Sequence, residues 1–257
     1  MTQQNICLDR DDGVLTITID RVAARNAFDL QTAREMEDAL DLLDASDELR
    51  VGIITGAGGS FSAGQDLKAA ARGEPAITER RGGFGIMKQP AMKPLIAAIE
   101  GPALAGGFEL ALCCDLIVAS RTSVFGLPEV QRSLVALGGA LFRLPRRIAF
   151  QTAMEMILTG APRSAEELKA LGLVNRICEP GGALVEATAL ARALCRNGPL
   201  ALQVSKEIAF RAISESWTDE NAWSEQMRLA GKVMASEDFR EGLKAFAEKR
   251  DPVWLGR

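Results

Sequence analysis

The chain contains no histidine and no tyrosine among its 257 residues. Without histidine, the Ser-His-Asp and Cys-His nucleophile systems and the usual histidine metal sites are excluded. Proton transfer near neutral pH is then left to carboxylates of shifted pKa, to lysine and to cysteine. The five cysteines (Cys7, Cys113, Cys114, Cys178, Cys195) are odd in number and form no C-x-x-C pair. Three of them lie in apolar stretches, where free thiols are commonly buried, and this pattern reads as a reducing compartment. Long hydrophobic runs are also missing: no stretch approaches ~18 apolar residues without a charge or glycine. Met1 to Arg10 is polar and carries no apolar leader core, so a soluble, cytoplasmic protein without a membrane partner is expected. Basic residues are not in excess, since 30 Lys and Arg face 34 Asp and Glu for a net charge of −4. That balance, with no aromatic-basic stripe, argues against nucleic acid as a partner. A phosphate-bearing ligand has to be held by a local cluster of Lys and Arg.

What is present fits a sizeable core, with 47% hydrophobic and 25% charged residues, in one large domain or one domain with an appendage. Val14 to Ile19 alternates and reads as a half-exposed strand. From Asp29, a candidate cap, the apolar positions Leu30, Ala33, Met36, Leu40 and Leu43 recur at helical spacing, and Asp44 to Asp47 ends the run. Val51 to Thr55, Leu95 to Ile99 and Leu116 to Ala119 are short continuous apolar runs bounded by glycines or polar turns. Such runs suit parallel strands buried on both faces, although periodicity alone does not separate them from buried helix. The pattern predicts an α/β domain over roughly the first 190 residues. After Pro199 the strand signals vanish, and helices are predicted at about Leu200 to Ser214, Asp219 to Ala235 and Glu237 to Arg250. This tail reads as a lid and oligomerisation surface or as a simple helical cap. The apolar residues Trp217, Trp223, Met227 and Met234 give it more apolar area than an isolated cap needs.

Three segments can carry chemistry. In Ser60 to Leu67 (SFSAGQDL), after the glycine turn Gly56-Ala57-Gly58-Gly59, the small residues Ser62, Ala63 and Gly64 let a ligand approach main-chain N–H donors. A plain glycine turn is the ordinary alternative. A dinucleotide fingerprint is not met, because the third glycine is missing. In Gly101 to Asp115 (GPALAGGFELALCCD), Gly106 and Gly107 precede a helical run, where unpaired N–H groups favour an oxyanion. Glu109 falls in the first turn of that run; it either stabilises a helix start or, among Phe108, Leu110, Ala111 and Leu112, is a desolvated acid or base. In Phe125 to Glu129 (FGLPE), Pro128 fits a helix start with Glu129 in its first turn, as a cap or as a second acid or base. Together the three supply a backbone donor pair for a thioester enolate and two carboxylates able to hold opposite protonation states.

In this order the segments resemble the crotonase (enoyl-CoA hydratase/isomerase) family. The matching stretches are FSAGQDLK, KPLIAAIEGPALAGGFELALCCDLIVAS, FGLPE, LTGAPRSAEELKALGLVNRI and AFAEKRDPVW, and the likeness runs from about Ile6 to Arg257. The resemblance implies a repeated ββα spiral core over residues 1–198 and a C-terminal helical trimerisation region over 199–257, with trimers often paired into hexamers. It implies an acyl-CoA thioester substrate and no cofactor or metal, coenzyme A being part of the substrate. By position, the backbone N–H groups of Gln65 and Gly106 become an oxyanion hole, with Glu109 and Glu129 catalytic. Ala63 and Leu67 are expected at the adenine, Arg25 and Lys68 near the phosphates, and Asp66 in the same binding segment. Phe246 and Lys249 are expected to reach CoA on a neighbouring subunit.

Both glutamates are present, as in hydratases, whereas simple enoyl-CoA isomerases typically keep only the one matching Glu129. The missing histidine argues against the chlorobenzoyl-CoA dehalogenase type, and the missing tyrosine against the naphthoyl-CoA synthase and feruloyl-CoA hydratase types. One departure lies after FGLPE, where Ser133 to Leu144 (SLVALGGALFRL) replaces a more glycine-rich stretch. Leu137 stands there in place of a glycine expected close to the attacking water and the acyl chain. The expected activity is enoyl-CoA hydration. The alternatives are an isomerase, a carnitinyl-CoA-type dehydratase and a non-catalytic CoA-ester-binding protein.

Overall fold

The computed structural model describes residues 4–257; Met1 to Gln3, at the start of the polar segment, lie outside the described residues. A six-stranded sheet forms the backbone of the fold. Ile6–Asp11 pairs antiparallel with Val14–Ile19, and from there Val51–Gly56, Leu95–Ile99, Leu116–Ser120 and Arg176–Cys178 follow in parallel. The short apolar runs are therefore parallel strands, and their lack of alternation has a direct cause. Ile54, Leu95, Ala97 and Ile99 face the main core, while Val51, Ile53, Ile96 and Ala98 pack under Ala183, Ala187 and Ala191 of helix Ala183–Cys195. Both faces are covered, so both alternating sets are apolar.

Beyond each central strand the chain turns into a second, smaller layer before entering a helix. Leu95–Ile99 leads to the short strand Pro102–Leu104 and helix Gly106–Ala111; Leu116–Ser120 leads to Val124–Gly126 and the 3₁₀ turn Pro128–Arg132. Pro102–Leu104 runs parallel to Val124–Gly126, which pairs on its other side with Arg163–Ser164. The preceding units contribute single bridges to the same layer, Ser62 to Ala103 and Phe28 to Gln65. Val51–Gly56 thus leads through Ser62 and Gln65 to helix Leu67–Ala71, and Val14–Ile19 through Phe28 to helix Leu30–Ala45. This is the expected repeated ββα spiral.

Local signals behave as read. Asp29 caps helix Leu30–Ala45 by accepting from the Thr32 N–H at 2.9 Å, and that helix buries Ala33, Met36, Leu40 and Leu43. Pro128 opens the 3₁₀ turn with Glu129 in its first turn. The C-terminal helices are Pro199–Ser214, Asp219–Met234 and Glu237–Glu248, with Thr218 and Ser236 as N-caps. Lys206 ties the first of them to the core, donating to Ala91 O at 2.8 Å, Lys93 O at 2.9 Å and Asp115 Oδ2 at 2.7 Å. Trp223, Met227 and Met234 stay exposed on this tail. Trp217 does not: it is half-buried, with the Arg211 guanidinium 5.6 Å from its ring centre and its Nε1 donating to Glu215 at 2.8 Å. No helix among the described residues is long and apolar enough to cross a membrane.

Candidate active site

A cleft of about 580 Å³ opens where three consecutive spiral units meet, and Gln65, Gly106, Glu109 and Glu129 all line it. The first N–H groups of any helix lack intrahelical acceptors, and at the start of helix Gly106–Ala111 no protein acceptor takes the Gly106 N–H among the described residues. The Gln65 N–H is likewise unclaimed, although its neighbours are engaged in the bridge to Phe28. The Gln65 side chain turns to the scaffold, where its Oε1 accepts from the Ala76 N–H at 3.3 Å. The residue therefore offers the cleft its backbone.

Close packing brings the two donors together. At Gly64 the backbone has φ of +88°, and a Cβ built there would stand 2.7 Å from the Gly106 nitrogen. A Cβ at Gly106 would strike the Phe84 ring at 2.6 Å. Phe84 is in turn stacked on Phe28, with ring centres 4.4 Å apart. Ala105, just before the helix, is held at φ 51° and ψ −129°, a conformation that costs a residue with a side chain about 1–3 kcal/mol. Its N–H donates to Gly126 O at 2.9 Å, and its carbonyl accepts from the N–H groups of Phe108 and Glu109. Strain at this turn is thus maintained by pairing to the next spiral unit.

The two carboxylates are served differently. Glu109 is 4% exposed, and burial pushes its carboxyl above the ordinary range, to which Glu129 adds whenever it is ionised. Opposing this, the Ala140 N–H donates to Glu109 Oε1 at 3.1 Å, the Gly138 N–H faces the same carboxylate, and the Arg143 charge acts in the same direction. Glu129 is half-buried, and burial raises it as well. Its Oε2 is enclosed yet has no hydrogen-bond partner. An enclosed oxygen without a donor favours the protonated acid.

The remainder of the cleft is mostly apolar, with Ala76, Ile77, Phe84, Met87, Leu134, Val135, Leu137 and Phe142 on its walls; apart from the glutamates, its charged lining residues are Lys88 and Arg132. Leu137, expected beside the attacking water, is 88% exposed on this wall. The residue against the carboxylate is Gly138, where a Cβ would lie 2.7 Å from Glu109 Oε2.

Comparison with known proteins gives a consistent result. The enoyl-CoA hydratase/isomerase family profile matches residues 9–257. The chain belongs to the enoyl-CoA hydratase/isomerase family. It is 39% identical to enoyl-CoA hydratase EchA19 of Mycobacterium tuberculosis, over 97% of this chain and 96% of that protein. It is 42% identical to carnitinyl-CoA dehydratase of Salmonella heidelberg, over 99% of both. Among solved structures, enoyl-CoA hydratase EchA1 from Mycobacterium marinum superposes with a TM-score of 0.96 at 50% identity, covering 99% of this chain and 100% of the other.

The residues expected at coenzyme A in this family fall into three groups. Ala63 and Leu67 line the cleft beside Gln65. Arg25, Asp66 and Lys68 lie outside its lining. Arg25 and Lys68 are exposed, and the Arg25 carbonyl accepts from the Ala63 N–H at 3.0 Å. The Asp66 carboxylate caps helix Leu67–Ala71 through the N–H groups of Lys68 and Ala69, and pairs with Arg21 at 3.2 Å. Burial pushes Asp66 up, but the Ala69 N–H and the Arg21 charge outweigh it and hold the carboxyl below its ordinary value. Phe246 and Lys249, on the third C-terminal helix and its cap, are exposed and away from the cleft of their own chain. The sequence reading did not pick out Phe84, Met87, Gly138, Ala140 or Arg143. Only the last three fall in a segment it had marked, Ser133 to Leu144.

Proposed function

We propose that the chain is an enoyl-CoA hydratase, adding water reversibly and in the syn sense across the double bond of a 2-enoyl-CoA thioester. The observation that carries this reading is a pair of unequally served carboxylates, Glu109 and Glu129, in one cleft with two unclaimed peptide donors. The thioester oxygen accepts from the N–H groups of Gln65 and Gly106. As water adds at Cβ, negative charge moves onto that oxygen, and donors fixed beforehand stabilise it without reorganising. Ionised Glu109 takes a proton from the attacking water, whose oxygen bonds Cβ. Protonated Glu129 gives its proton to Cα. Exchange with solvent restores both carboxyls, and the reverse sequence is dehydration. Coenzyme A enters as part of the substrate, and we assign no cofactor or metal.

Dehydration of a carnitinyl-CoA-type substrate uses the same pair, and the 42% identity to a carnitinyl-CoA dehydratase makes it the second reading. The cleft favours the first. Its other charged lining residues, Lys88 and Arg132, are both cationic, so a quaternary ammonium on the acyl chain finds no dedicated anion there. Loss of enoyl-thioester absorbance measured with crotonyl-CoA, and with a 2-enoyl-CoA bearing a quaternary ammonium, tests the choice. Hydration of the neutral substrate is expected. Preferential turnover of the cationic one would transfer the assignment to the dehydratase, and binding of CoA esters with no turnover would leave a binding protein.

We also place residues 1–198 as the acyl-CoA-binding core and 199–257 as the oligomerisation region of a cytoplasmic homotrimer or homohexamer. Trp223, Met227 and Met234, all more than half exposed on one helix, support this, as does Phe246 at 85% exposure. Light scattering giving a monomer at micromolar concentration would remove the assembly and the cross-subunit role of Lys249.

A further inference from the structure

We infer that Arg143 is a positioning residue: by clamping the Gly138–Ala140 loop to Met87 it holds Glu109 in its water-activating pose. The inference rests on the hydratase reading for the role of Glu109, and on contacts that do not depend on that reading. The Arg143 Nη1 donates to Gly138 O at 2.8 Å and Nη2 donates to Met87 O at 2.6 Å. One guanidinium therefore joins two segments that are far apart in sequence and that line the same cleft as Glu109. The planar fork of arginine can span two carbonyls at once, which a lysine ammonium on a flexible stem does with less geometric definition.

The clamp acts on the loop that holds the base. Gly138 and Ala140 supply the peptide N–H groups that face Glu109, with Ala140 donating at 3.1 Å. Gly139, at φ +104°, leaves no space for a Cβ because the Arg143 Nη1 occupies it. Gly138 is confined in the same way by the Met87 sulfur and Glu109 Oε2. If the fork is lost, nothing recorded in the structure ties the Gly138 carbonyl to Met87. The loop then relaxes away from the carboxylate, and its two N–H donors go with it.

The charged and titratable groups around Glu109 support the assignment. Just past the end of its helix, Cys113 Sγ donates to the Glu109 carbonyl at 3.3 Å and is a buried thiol pushed up to about 11. The 3₁₀ turn contributes Glu129, which disfavours the anion. Helix Ala140–Arg143 contributes Arg143, the charge that favours it. Lys88 and Arg132 line the cleft but are exposed to solvent. Met87, packed beside the loop, is uncharged. Arg143 touches neither the Gln65 nor the Gly106 N–H, so its loss should leave thioester binding intact.

The test compares the wild type with Arg143→Gln and Arg143→Lys, using crotonyl-CoA kinetics across pH and carboxyl infrared difference titration of ligand-free enzyme, with Glu109→Gln as the subtraction control. Misplacing a catalytic group by about 1 Å can cost ~10²-fold in rate. Arg143→Gln is expected to lose about that much kcat with KM nearly unchanged, and to move both the acidic limb of the rate profile and the Glu109 carboxyl signal to higher pH. Arg143→Lys, which keeps the charge without the fork, should return the signal close to its wild-type pH while recovering only part of kcat. A wild-type kcat in Arg143→Lys, or an unmoved Glu109 signal in Arg143→Gln, overturns the inference. If Arg143→Gln fails to fold, the lysine variant alone still decides. If the Glu109 signal moves as expected while the wild type hydrates no enoyl-CoA, the clamp stands and the hydratase reading falls.

Discussion

Replacing Gly64 by alanine tests the oxyanion hole without touching either glutamate. The added Cβ would sit 2.7 Å from the Gly106 nitrogen and 3.1 Å from its Cα, on a backbone with φ of +88°. Both obstacles are backbone, so the new methyl cannot be accommodated by a side-chain rotation. A residue with a side chain in the left-handed region costs roughly 1–2 kcal/mol, which for a chain of this size lowers Tm by about 2–8 °C. Typical folded domains hold about 5–15 kcal/mol in reserve, so the variant should remain folded. The effect on rate is larger. Moving Gly106 by a few tenths of an ångström or more takes one of the two donors off the thioester oxygen, and loss of one such donor typically costs ~10²–10³ in kcat. The expected result is a folded enzyme by circular dichroism, a modest Tm drop and a kcat for crotonyl-CoA hydration reduced about 100-fold or more. A well-folded Gly64→Ala variant with near-normal kcat would falsify the assignment of Gln65 and Gly106 as the oxyanion pair.

Glu109→Gln and Glu129→Gln should each reduce hydration by ~10²–10⁴-fold while calorimetric binding of a saturated acyl-CoA stays nearly unchanged; a Glu109→Gln variant with normal activity would remove the two-carboxylate mechanism. Because burial raises both carboxyls in the folded state, the stability each contributes is present below the ordinary carboxylate pKa and is lost as pH rises through its raised folded value. Each glutamine variant should therefore gain in Tm on the wild type between pH 4 and pH 8, and a difference that shrinks over that range would contradict the burial argument. Lys206→Met leaves three oxygens without their cationic donor, one of them on part-buried Asp115, and should cost roughly 1.5–3 kcal/mol by urea denaturation; no loss would mean that Lys206 does not anchor the C-terminal helices. Leu137→Gly opens the cleft wall without touching the Glu109 contacts, so it should shift the acyl-chain preference more than the crotonyl-CoA kcat, and an unchanged chain-length profile would take Leu137 out of the substrate path.

How far the sequence could be read follows from the range of the interactions. Val51–Gly56 and Leu95–Ile99 were legible because burial on both faces leaves a continuous apolar run, and Asp29 and Pro128 because caps and helix starts act within a few residues. The second layer was not legible, since Pro102–Leu104 and Val124–Gly126 are three residues each, too short to show a period. The edge strand Ile6–Asp11 buries only Ile6, so its residues carry almost no apolar signal. Glu109, Glu129 and the glycine-flanked donors lay in marked segments, and the cleft brings all of them together. The support behind them was invisible. Phe84 meets Gly106 through a stack with Phe28, and Arg143 reaches Met87 across 56 positions; neither contact leaves a local trace. Leu137 lies on the cleft wall, but that its neighbour Gly138 is the position facing Glu109 is visible only in the structure.

The stacked spiral has a consequence for how the chemistry can vary. Gln65 comes from one turn of the coil, Gly106 and Glu109 from the next, and Glu129 with the apolar wall Leu134 to Leu137 from the one after. On the proposed mechanism, two rungs grip the thioester and a third shares in what happens to the acyl chain. Strand pairing of the third rung lies at Val124–Gly126, before residues 128–139. Grafting residues 128–139 from a family member of different acyl preference should therefore transplant selectivity while leaving the coenzyme handle where it is.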